Sequence, residues 1–126
     1  MDETTNTSLH KGGGAAITTT GRKSGQPRRT EIYFHQFDGE FFIGGRPGFK
    51  RDWLANLLAN PRFTLHLSGG TDVAAEAQPV YDSEERRRLF LRMMTENWGS
   101  EPDRAAAVVD KFVETSPLVS FTVVDR

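Results

Sequence analysis

Hydrophobic and polar positions change period several times along the chain, and each change marks an element. A β-prone run ending in Ile17-Thr18-Thr19-Thr20 predicts a first strand over residues 15–20. A second strand over 28–37 and a third over 40–45, both rich in Phe, Tyr and Ile, are joined by Asp38-Gly39. That dipeptide tolerates positive φ at both central positions, as a type I′ hairpin requires. Asp52 is placed to cap a short helix with Trp53, Leu54, Leu57 and Leu58 on one face, and Pro61 disfavours α backbone at Asn60 and ends it. Phe63, Leu65 and Leu67 then alternate with Arg62, Thr64 and His66, the period of a half-buried strand. Ser68-Gly69-Gly70 turns the chain into a fifth strand, on which Val73, Ala75, Ala77 and Tyr81 share a face.

From Glu84 to Trp98 the period lengthens to that of a helix, with Leu89, Phe90, Met93 and Met94 as its apolar stripe and Asp82 or Ser83 as its cap. Ser100-Glu101-Pro102-Asp103 resembles a capping box with proline in the first turn of a second helix, which buries Val108, Val109, Phe112 and Val113. A last strand runs from Leu118 to Val124. Six strands with these helices predict a mainly β (α+β) fold: a six-stranded antiparallel barrel with helices packed on its side or end. Residues 1–14 are polar and close on Gly12-Gly13-Gly14, so they are expected to form a mobile N-terminal arm, with residues 15–126 as a single domain.

Composition narrows the chemistry. The chain has 126 residues, 37% hydrophobic and 26% charged, in the range of one ordinary globular domain. It has no cysteine, which excludes disulfides, thiolate metal sites and cysteine nucleophiles. No run of about 18 apolar residues exists and the first residues lack the apolar core of a signal peptide, so no membrane span is expected and the cytoplasm is the expected location. A net charge of −1 argues against nucleic acid as a partner. The charge is nonetheless uneven: residues 1–66 hold nine Lys/Arg against six Asp/Glu, and the remainder seven against eleven. The basic excess gathers at residues 21–29 and at Arg46, Lys50 and Arg51.

The segment Gly21-Arg22-Lys23-Ser24-Gly25-Gln26-Pro27-Arg28-Arg29 carries four cations and no acid directly behind the first strand. Glycines permit a backbone on which N–H groups converge, Ser24 adds a hydroxyl, and the cations add charge and forked donors, so the segment reads as an anion cradle or as a solvated β-turn. It is neither a Walker A loop nor a dinucleotide fingerprint, because GxxxxGK[ST] and GxGxxG are both absent. Gly44-Gly45-Arg46-Pro47-Gly48 is a second glycine-rich bend with a cation, read as a plain loop or as a partner that brings Arg46 to the first cluster. Trp53 is read as core or as a flat wall for an aromatic ligand. His35 and His66 have no ligand-type neighbour at metal-binding spacing, and no serine sits in a G-x-S-x-G elbow. Arg86-Arg87-Arg88 reads as a solvated helix face.

Thr18-Thr-Thr-Gly-Arg-Lys-Ser-Gly-Gln-Pro-Arg28, the Asp38-Gly39 hairpin and Trp53-Leu-Ala-Asn-Leu-Leu-Ala-Asn-Pro61, taken in order, resemble the deazaflavin-dependent nitroreductase family over residues 15 to 98. The resemblance implies an FMN-binding-like split β-barrel and the cofactor F420, with FMN as the alternative. It implies that Arg22, Lys23, Ser24, Gly25 and Arg28 hold the cofactor's phosphate, that Arg46 replaces a lysine usual in the next loop, and that the ring lies near Thr30 and Trp53. No catalytic side chain is implied, since such a cofactor carries the hydride chemistry itself. The implied activity is hydride transfer to a small electrophilic substrate such as a quinone, an enone or a nitro compound. The rival is a non-catalytic binder of a flavin, a fatty acid or another anionic amphiphile on the same barrel. The chain departs from the family at Glu31, where members commonly have proline. A homodimer is expected from small split barrels, with the Phe-rich second and third strands as the candidate face.

Overall fold

The computed structural model describes residues 3–48 and 51–124, so Lys50 lies outside the described residues. Six strands, β1 (Gly13–Thr20), β2 (Pro27–Phe37), β3 (Glu40–Gly44), β4 (Arg62–His66), β5 (Asp72–Pro79) and β6 (Leu118–Val123), close an antiparallel barrel in the order β1-β2-β3-β6-β5-β4. Four helices flank it: α1 (Glu3–Lys11), α2 (Asp52–Ala59), α3 (Ser83–Arg92) and α4 (Pro102–Thr115). A π turn, Met93–Asn97, follows α3. This is the expected α+β split barrel. Asp38 at φ 55° and Gly39 at φ 83° make the expected β2–β3 hairpin. Among the described residues no helix is long and apolar enough to cross a membrane.

Two cores explain the patterning. Ile17, Phe34, Ile43, Phe63, Leu65, Val119 and Phe121 fill the barrel, closed at one end by Trp53 and Leu57 of α2. A second core forms where the outer face of the β2–β3–β6 side meets the α3–α4 hairpin, through Phe37, Phe42, Leu89, Phe90, Met93, Met94, Val109 and Leu118. The second half of β2, Phe34 to Phe37, and β3 carry apolar residues on both faces because both faces are covered there. Their phenylalanines Phe34, Phe37 and Phe42 are therefore interior residues of the single chain, not an open face for a second copy.

Several local expectations give way to packing. Residues 3–11, expected within an arm, form α1, and Leu9 reaches the barrel core with 1% exposure. Gly12 and Gly13, at φ 69° and 107°, turn that helix directly into β1, and a Cβ on Gly12 would lie 3.1 Å from the carbonyl oxygen of Phe34. Asp52 does not cap α2: Arg51 is the N-cap residue and Asp52 opens the helix as a partner of Arg22. Glu101, not Ser100, is the N-cap residue of α4, without a side-chain cap. Val108 and Tyr81, expected inside, are exposed. Asp82 does cap α3, its Oδ2 accepting from the Glu85 N–H at 2.9 Å. Arg86 is no solvated cation; its guanidinium donates to the carbonyls of Val80, Phe112, Val113 and Ser116.

Candidate functional site

The basic turn joins β1 to β2 and is closed by its own backbone. Gly21 N–H donates to Gln26 O at 2.8 Å, Gly25 N–H to Gly21 O at 2.9 Å, and Gln26 N–H to Ser24 Oγ at 3.1 Å. Gly25 adopts φ 72° to allow this, so its amide serves the turn. The Ser24 hydroxyl accepts within the turn and keeps its own proton to donate. A Cβ added to Gly21 would lie 2.7 Å from Ser24 Oγ, 3.2 Å from Gln26 O and 3.6 Å from Arg28 Nε. The turn thus packs closely on Gly21, where any side chain would push Ser24 and Gln26 aside.

Helix α2 locks the turn in place. Asn56 Oδ1 accepts both the Arg22 backbone N–H, at 3.1 Å, and Arg22 Nη1, at 2.9 Å, while Asn56 Nδ2 donates to Thr19 Oγ1 at 3.1 Å. Asp52 Oδ1 lies 3.3 Å from Arg22 Nη2. Arg22 is consumed by these contacts and supports the turn. Strand register decides which cations share its cavity: Thr19 pairs with Arg28 and Ile17 with Thr30, so Arg28 and Thr30 point to the inner side at the barrel mouth. Gly21, Lys23, Ser24, Arg28, Arg29, Thr30, Asp52, Trp53 and Asn56 line a cavity of about 460 Å³ there. Trp53 is a core residue at 6% exposure and also lines this cavity. Among the described residues, Lys23, Arg28 and Arg29 have no ion-pair partner, and Asp52, the one acid at the cavity, is engaged by Arg22.

Arg46 does not join this cluster. It lines a different cavity, of about 1200 Å³, between the start of β1, the middle of β2, the loop after β3 and the helical hairpin. The two sites approach each other at Gly45, where a Cβ would lie 2.8 Å from Nη2 of Arg51, two residues before Trp53. His35, which spacing arguments set aside, lies in the wall of the larger cavity with 4% exposure. Its Nδ1 is 2.6 Å from Asn97 Nδ2, its ring stacks on Phe37 and meets Trp98 edge-on, and Nε2 has no hydrogen-bond partner. Burial lowers its pKa from 6.5 to about 4, so the imidazole is neutral at physiological pH. The sequence signal that could have found it is the pair Phe34 and Phe37, which lie on opposite faces of the strand and imply that both are covered.

Glu31 points to the outer face of the sheet, opposite Ala16, and lines a third cavity with Arg29, Tyr33 and His66, apart from the cradle. On that face His66 bridges Thr18 Oγ1, at 2.6 Å, and Asp72 Oδ1, at 2.8 Å. Among the described residues no three His, Asp or Glu side chains are placed to hold a metal ion.

Comparison with known proteins places this geometry in context. The model of the F420H(2)-dependent quinone reductase family matches residues 2–113. A conserved hypothetical protein, Rv2991, from Mycobacterium tuberculosis has the same fold at TM-score 0.73 and 19% identity, with 99% of this chain and 82% of that chain covered. An F420 reductase is similar at TM-score 0.70 and 15% identity, covering 99% and 97%. An F420-H2 dependent reductase, FDR-A, is similar at TM-score 0.60 and 20% identity, covering 86% and 93%.

Proposed function

The chain belongs to the F420H(2)-dependent quinone reductase family, and from that premise we propose that it reduces a quinone with F420H₂ bound at the basic turn. The observation that carries the reading is the cationic cavity at the basic turn: Lys23, Ser24, Arg28 and Arg29 line it, and its one acid, Asp52, is already engaged by Arg22. These donors suit a phosphodiester, whose charge would compensate them. Lys23, Ser24 and Arg28 hold the phosphate. Arg22 and Gly25 shape the turn that presents them, and Thr30 and Trp53 flank the ring.

When bound, the reduced deazaflavin supplies a hydride, and the quinone takes up one further proton to leave as the hydroquinone. The protein's own work is binding, orientation and exclusion of water. Trp53, rigid because it is core, offers a wall that does not reorganise when a ring meets it. Arg46 belongs to the acceptor side of this scheme, because it lines the cavity beyond the Gly44–Pro47 loop and not the cradle.

The test is calorimetric titration of the protein with oxidised F420, and with FMN for comparison. Binding of F420 in the micromolar range, weakened roughly tenfold or more by Lys23→Ala or Arg28→Ala, is expected from the loss of one charge-assisted contact. No measurable binding of F420, or affinity indifferent to both substitutions, would sink the assignment.

A further inference from the structure

The 1200 Å³ cavity combines aromatic walls with unanswered positive charge. Tyr33, Trp98 and Phe112 line it, and Trp98 packs against Phe112 with ring centroids 6.0 Å apart. Lys11, Arg46 and Arg104 also line it, and none has an ion-pair partner among the described residues. Its one acid, Glu96, is already committed: Arg92 donates to it from Nε at 2.7 Å and Nη2 at 3.3 Å, and also reaches Asp38. Such a lining favours a flat ring system that brings its own negative charge.

A second, independent observation sits in the wall. With Asn97 donating to His35 Nδ1, the ring proton is on Nε2, a buried donor with no acceptor. An unmet buried donor costs stability. Asn97 closes a π turn, a helical irregularity frequent at binding sites, and Gly99 at φ 69° follows directly after Trp98.

We propose that this cavity binds a planar aromatic anion, an ionised hydroxyquinone or a quinone carboxylate, with its charge on Lys11, Arg46 and Arg104 and its rings against Tyr33, Trp98 and Phe112. The assignment of that ligand as the hydride acceptor rests on the reductase reading; its binding does not. The acidic tail of a cofactor has the same anionic chemistry, and the two sources are separable by experiment.

The experiment compares calorimetric binding of 2-hydroxy-1,4-naphthoquinone, ionised at neutral pH, with that of neutral 2-methyl-1,4-naphthoquinone, using the full chain without and with saturating F420. The anion binds at least about tenfold more tightly, as one charge-assisted contact implies. Arg46→Ala, Arg104→Ala and added salt each shrink that preference, and binding persists beside F420. Equal affinity for the two quinones, a preference untouched by both arginine variants, or displacement of the anion by F420 would overturn the proposal, the last assigning the cations to the cofactor. If F420 fails to bind while the preference and its loss in the variants remain, the reductase reading falls and the cavity assignment stands.

Discussion

The side-chain carbonyl of Asn56 accepts two hydrogen bonds from Arg22, one from its backbone N–H and one from its guanidinium, across 34 positions of sequence. Asn56 is 3% exposed and its other partner, Thr19, 2%, so the buried Thr19 hydroxyl is left unmet if Asn56 is lost. Asn56→Ala is expected to destabilise the fold by about 1–3 kcal/mol, the scale of one unmet buried partner, at Thr19. It should also weaken F420 binding without touching the ligand, because the turn loses its anchor. Urea denaturation beside a cofactor titration checks both; an unchanged midpoint would deny the lock.

Arg22 and Arg28 lie six positions apart and should separate on substitution. Arg28→Ala removes a free cation of the cradle, so affinity falls roughly tenfold or more and its dependence on salt becomes shallower, with stability nearly unchanged. Arg22→Ala breaks contacts to Asn56 and Asp52 and lowers stability as well as affinity. Identical behaviour of the two variants would contradict their division of labour.

Arg86 ties three segments together through carbonyls at the end of α4, at Val80 and at Ser116. Its guanidinium fork matches several acceptors at once, which a lysine cannot reproduce. Arg86→Ala should cost about 3 kcal/mol, and Arg86→Lys should recover less than half of that. Thermal unfolding of the two variants decides it; full recovery by lysine would show that charge alone matters.

His35 predicts an acid-sensitive stability. Burial depresses its folded pKa from 6.5 to about 4, so between those values the unfolded chain binds more protons than the folded one. Its contribution is fully present above pH 6.5, falls as pH drops through the window and levels off below about 4. The loss approaches about 3 kcal/mol, since a tenfold difference in proton affinity between the two states is worth about 1.4 kcal/mol. His35→Leu should flatten that segment of the stability profile, measured by urea midpoints between neutral pH and pH 4.5; an equally steep profile in the variant would exclude His35 as the titrating group.

Barrel strands with one wet face are legible in the sequence because alternation is a local property. Phe63 and Leu65 of β4 and Leu67 just after it are buried as their spacing requires, and Asp38-Gly39 forms its hairpin from positive-φ tolerance. Helix α1 is not legible, because its one decisive residue, Leu9, is apolar in isolation and finds its partners only in the closed barrel. Arg86 is hidden for the same reason: the carbonyls it serves belong to α4 and its flanks, 26 to 30 residues on, and to Val80.

By itself, the order of residues determined that this is a six-stranded antiparallel barrel with a cationic glycine turn behind its first strand, because period, turn chemistry and charge are written in neighbouring positions. Only the tertiary structure decided what each cation does. Register at Thr19 and Ile17 aims Arg28 and Thr30 into the barrel mouth, Asn56 of a distant helix takes Arg22 out of play, and the path of the Gly44–Pro47 loop carries Arg46 to another cavity. A charge has no role until its partners are known, and partners far apart in sequence meet only when the barrel closes.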